Sequence, residues 1–185
     1  AFSPDGKLLA SGDFDSHVFI WDTARGSVAA ELKIDNVVRS LVWSPDGQVL
    51  AVGVFDGSVT FWKNEGQWVQ INRLYGLGSP VRSLAWSPDG KLLAVGLGSD
   101  PNTPASGNVI LWDYENWQRI NTLPDSTTRA RTVAFHPSGK FLAVGWEDGT
   151  ILFLDVERWQ ILGSPLIAHG RSSITSVAFS PDGRY

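Results

Sequence analysis

The chain has no cysteine and no methionine among its 185 residues. Without cysteine there is no disulfide, no thiolate metal site and no cysteine nucleophile. That composition suits a reducing compartment, and a cytoplasmic location is the expectation. Positive charge is not in excess either: 15 basic residues face 19 acidic ones, for a net charge of -4 and a pI near 5.3. A duplex-binding surface neutralises phosphates with a basic stripe, so nucleic acid is not an expected partner. No apolar run reaches the roughly 18–20 residues of a membrane helix, no basic-then-apolar stretch of the secretory type opens the sequence, and a membrane is not expected as a partner.

Catalytic signatures are missing too. The three histidines, His17, His136 and His169, form no metal-ligand spacing, and there is no nucleophile elbow or phosphate-cradling glycine loop. The expectation is a non-enzyme with no metal and no cofactor. The lack of methionine, and an opening inside a motif at Ala1, read as a piece or ordered part of a longer protein.

What the sequence does have is a core and a repeat. Hydrophobic residues make up 43% of it, enough to exclude disorder and to fill one domain. A six-residue phrase recurs as AFSPDG at 1–6, VWSPDG at 42–47, AWSPDG at 85–90, AFHPSG at 134–139 and AFSPDG at 178–183. The turn residues Asp5, Asp46, Asp89, Ser138 and Asp182 stand 41, 43, 49 and 44 residues apart. The long interval holds the insertion GSDPNTPASG at 98–107, expected to be a solvated loop.

Each repeat reads as β throughout. In the third, VRSLAW predicts a strand, SPDG a turn, LLAVGL a strand covered on both faces, NVILW a third strand and WQRINTL an outer one with a wet side. Four strands per repeat cannot bury both faces alone, and radial stacking of repeats solves this. The boundaries are about 1–33, 34–74, 77–123 and 127–164, with a partial repeat at 165–185.

These residues resemble the WD-repeat family of β-propellers. The name-giving dipeptide stands at Trp21–Asp22 and Trp112–Asp113, degraded to Trp62–Lys63 and Leu154–Asp155. The resemblance implies an all-β propeller of four-stranded antiparallel blades that recognises other proteins or peptides without catalysis. The alternative function is a sensory or regulatory module of a larger signalling ATPase or kinase. It also implies a structural tetrad of His169, Ser11, Asp15 and Trp21, in which buried polar groups satisfy one another. The histidine lies near one terminus and its partners near the other. That offset suggests that the spare innermost strand ITSVAF, 174–179, completes the first blade, which keeps only Ala1 and Phe2 of its own. Four blade-equivalents then close within one chain, or two copies form an eight-bladed homodimeric ring. The third alternative is that both ends continue into a longer propeller.

The candidate contact residues lie on the rim. Arg39, Arg82 and Arg131 occupy one repeat position, on the side of Leu41, Leu84 and Val133 by strand alternation. They are either a basic ring that grips acidic groups or partners of loop carboxylates on neighbouring blades. Phe14, Phe55 and Glu147 precede the turn aspartates, as anchors or as packing. Asp100 and Asn102 belong to the inserted loop, where recognition is common. Trp21, Trp43, Trp62, Trp86 and Trp112, with Phe135 and Phe179, are expected in the core, and Trp68, Trp117 and Trp159 are expected to open the outer strands.

Overall fold

The computed structural model describes residues 1–98, 108–123, 128–167, 170 and 172–185. Within them the chain forms two compact units, Ala1–Val81 and Arg82–Tyr185. All regular structure in the described residues is β.

In the first unit, β1 (Leu8–Gly12), β2 (His17–Asp22) and β3 (Ser27–Lys33) make a three-stranded sheet. Beside it, β4 (Val38–Trp43), β5 (Val49–Val54), β6 (Val59–Asn64) and β7 (Trp68–Leu74) make a four-stranded one. The second unit holds β8 (Val81–Trp86), β9 (Leu92–Leu97), β10 (Val109–Asp113) and β11 (Gln118–Thr122), then β12 (Ala130–Phe135), β13 (Phe141–Trp146), β14 (Thr150–Asp155) and β15 (Gln160–Ile167). Every ladder whose register is resolved is antiparallel.

The recurring turn explains its own sequence. In the first copy Ser3 Oγ donates to Asp5 Oδ1 at 2.7 Å and accepts from Leu8 N at 2.9 Å, while Asp5 Oδ1 accepts from Lys7 N at 3.1 Å. Gly6 sits at a φ of 70°, where a side chain is disfavoured. Ser44–Asp46, Ser87–Asp89 and Ser180–Asp182 repeat the arrangement. Where the phrase becomes AFHPSG, His136 Nδ1 accepts from Ser138 N at 3.0 Å, and its Nε2 reaches the Gly183 carbonyl, also at 3.0 Å.

A second turn explains the WD aspartate. Asp22 accepts the backbone N–H groups of Ala24 and Arg25, Asp113 that of Asn116, and Asp155 that of Arg158. Each caps the turn into an outer strand. Where Lys63 has replaced the aspartate, Asn64 accepts from Gly66 N instead.

The second strands fill the interior, with all six residues of β5 buried and five of six in β9 and β13. Sheets stack through a glycine on this strand. A Cβ on Gly12 would lie 2.4 Å from Val38 Cγ1, and one on Gly145 would lie 2.4 Å from Ile174 Cγ2. Val38 and Ile174 occupy the same repeat position, so residues 172–180 rest on the last sheet as a next blade's innermost strand would. Ile174 N donates to the Trp146 carbonyl at 3.0 Å and Val177 N to Thr132 Oγ1 at 3.3 Å. This segment forms no strand. At the other end, Ala1 and Ala10 exchange both backbone hydrogen bonds, and Phe2 bridges Leu9.

Two expectations need correction. Trp117 and Trp159 do not open the outer strands. They are the last turn residues, at φ values of 54° and 51°, in the place where Gly26 stands at 64° in the first blade. Trp21, Trp62 and Trp112 are half-buried rather than core, whereas Trp43 and Trp86 are buried.

Candidate protein-recognition site

The innermost strand departs from a regular ladder where the repeated arginine stands. The pairing of β4 with β5 shifts between Val38 and Ser40, and that of β12 with β13 between Ala130 and Thr132. Arg39 and Arg131 are the residues left without a register partner. A bulge re-aims its side chain, so period-two alternation does not run through these positions.

The three arginines then find different neighbours. Arg131 Nη1 lies 4.0 Å from Glu147 on its own blade, and Arg129 is closer to the same carboxylate at 3.2 Å. Arg82 lies along Gly98. Arg39 meets aromatic rings: its guanidinium carbon is 5.3 Å from the centre of Phe14 and 4.9 Å from that of Phe55. Phe14 is 73% exposed, Arg39 is exposed and Phe55 half-buried. No described carboxylate comes within ion-pair distance of Arg39. A surface phenylalanine this open, held against a cation, is where a partner would gain apolar contact.

A second group continues this rim. Asp56, next to Phe55, accepts from Arg73 Nη2 at 2.9 Å, and Arg73 Nη1 also donates to Asp35. Tyr75, 69% exposed, stacks its ring on the same guanidinium at 4.7 Å. Sequence reasoning missed Asp35, Arg73 and Tyr75, because they occur in one repeat only and comparison between repeats does not pick them out.

Of the tetrad residues, Trp21 Nε1 donates to Ser11 Oγ at 2.8 Å. Asp15 is exposed, and no bond among the described residues ties its carboxylate to Ser11 or Trp21; Asp13 caps that turn by accepting from Asp15 N and His17 N. His169, Asp100 and Asn102 lie outside the described residues, as does nearly all of the inserted loop. In the second blade Trp62 Nε1 finds Thr60 Oγ1 at 2.9 Å. In the third, Trp112 Nε1 has no hydrogen-bond partner among the described residues.

A groove of about 980 Å³ in the second unit lies at the turn end between β8–β11 and β12–β15. Phe141 and Leu162 line it with Asp89, Lys140 and Glu157. Two of its carboxylates are engaged locally. Hydrogen bonding from the Ser87 hydroxyl holds Asp89 below the ordinary carboxylate range, and the Arg158 backbone N–H does the same for Asp155. No group of three or more potential metal ligands occurs among the described residues.

Comparison with known protein families gives two matches. The model of the WD domain, G-beta repeat, matches residues 1–22, 31–63 and 68–113, together more than half of the chain. The model of the anaphase-promoting complex subunit 4 WD40 domain matches residues 104–182. A search of curated proteins returned no match.

Proposed function

The chain belongs to the WD-repeat family, and from that premise we propose that it is a protein-recognition platform whose contact surface is the rim of the first unit. WD-repeat domains generally mediate protein–protein interactions as scaffolds and are typically non-catalytic. The observation that carries the reading is Arg39 lying over both the exposed Phe14 ring and the Phe55 ring, with Tyr75 on Arg73 beside it. Aromatic and arginine side chains on a rigid sheet scaffold supply contact area at low ordering cost. The absence of converging catalytic groups in this rim supports a binding role. The net charge of -4 supports protein over nucleic acid, and the lack of cysteine supports a cytoplasmic setting.

A photo-crosslinking residue at position 14 tests the platform, with the same residue at exposed Ile120 on an outer strand as the control. Discrete crosslinked species are expected in extracts of the source cells from position 14 and not from position 120. Equal yields from both would sink the reading.

A second copy of the chain is the further partner we propose. The three-stranded first sheet and the docked segment 172–180 are complementary parts of one blade, and their exchange between copies would close an eight-bladed homodimer.

A further inference from the structure

We infer that Arg39 is a preformed oxyanion clamp, which reads a carboxylate side chain on an acidic peptide bound at the rim. The inference rests on the platform reading and names the chemistry of its ligand. Three observations combine in it. The bulge between Val38 and Ser40 releases Arg39 from the ladder. The Phe14 and Phe55 rings hold its guanidinium carbon at 5.3 Å and 4.9 Å. Its guanidinium N–H groups make no hydrogen bond and no ion pair in the described structure, although the side chain is exposed.

Rings engage a cation through their quadrupole and leave its hydrogen-bond donors unspent. An arginine fixed in this way still presents a planar fork of N–H donors that matches a carboxylate or a phosphate in bidentate fashion. Stacking also removes part of the rotamer freedom that a free arginine loses on binding. The neighbouring cation cannot do the same, because Arg73 is already spent on Asp35 and Asp56. Arg131 faces Glu147. Arg39 is thus better placed than Arg73 or Arg131 to take an external acid, and Phe14 offers that acid's neighbours an apolar contact.

The test is a titration followed by NMR, using the Arg39 Nε–Hε signal and the backbone amides of Phe14 and Phe55. The probes are an acetylated, amidated Gly-Glu-Gly tripeptide and its Gln counterpart. Saturable shifts are expected with the Glu peptide, and affinity at least about fivefold weaker with Gln. Arg39→Lys keeps the charge but loses the fork, and should weaken Glu-peptide binding by about tenfold. Phe14→Ala should weaken it severalfold while the fold is kept. A phosphoserine tripeptide separates the two sources of oxyanion: binding tighter than Glu would overturn the carboxylate assignment in favour of a phosphopeptide. Equal responses to Glu and Gln, or an unaffected Lys variant, would remove the clamp. Retained crosslinks at position 14 would then leave the platform itself standing.

Discussion

A carboxylate repeated in four of the five copies of the turn makes the fold's local structure sensitive to acid. Asp5, Asp89 and Asp182 are held below the ordinary carboxylate range, first by the hydroxyl of the serine two residues before each. At Asp46 burial pushes the other way, but the Ser44 hydroxyl and the Gln48 N–H outweigh it. The turn-capping Asp22 and Asp155 are lowered by the backbone N–H groups of Arg25 and Arg158, and Asp113 by the Asn116 side chain. A carboxylate whose folded pKa is depressed contributes stability that is present above its unfolded value near 4 and is lost as pH falls through the folded value. The thermal midpoint should therefore be flat from neutral pH to about 5 and fall steadily below about 4. Asp46→Asn should shallow that fall by removing one of the titrating groups. A midpoint independent of pH down to about 2 would show that the turn hydrogen bonds contribute nothing to folding.

Element by element, the sequence foretells the strands better than the side chains that leave them. Strands such as VRSLAW and LLAVGL form where period and turn chemistry put them, because serine, aspartate and glycine fix the turn at one end. Three features escape such reading, each for a physical reason. A left-handed turn position usually demands glycine, so Trp117 and Trp159 read as strand residues until their φ values are known. Alternation assumes a continuous ladder, and the bulges beneath Arg39 and Arg131 interrupt it. The hydroxyl that satisfies Trp62 comes from Thr60, two residues earlier on its own strand, rather than from the Ser11 position, where the second blade has Val52.

The stacking glycine is the most demanding point of these elements. Adding a methyl at Gly12 drives it to 2.4 Å from Val38 Cγ1 and 2.9 Å from Val38 Cβ. Gly12→Ala should cost about 1–3 kcal/mol by overpacking. Val38→Ala in the same chain should recover part of that loss, with a coupling above about 0.5 kcal/mol in denaturant melts. Strict additivity would mean that the sheets do not stack through this pair.

At the scale of the whole molecule, the proposed exchange between two copies rests on the contacts that residues 1–2 and 172–180 make. AFSPDG stands at both 1–6 and 178–183. Ala1 and Phe2 hold Leu9 and Ala10 of β1, while the rest of the β1 edge, at Ser11 and Gly12, lines a groove of about 440 Å³ with Val38, Arg39 and Leu41. Replacing Ala1–Phe2 by Ala178–Phe179 of another copy substitutes like for like. The incoming strand then extends further, bringing Ile174 to Val177 along the open edge and adding ladder hydrogen bonds. Those added bonds are the net gain, so the dimer should strengthen with protein concentration. Light scattering should find a mass near twice 20.2 kDa at the higher concentrations. Ser176→Pro, which removes a main-chain donor from the exchanging strand, should return it to the monomer mass. A sharp monomer at every concentration would overturn the exchange. A broad distribution of masses would overturn it equally, because unpaired edges would then be associating without the register that a two-fold closure requires.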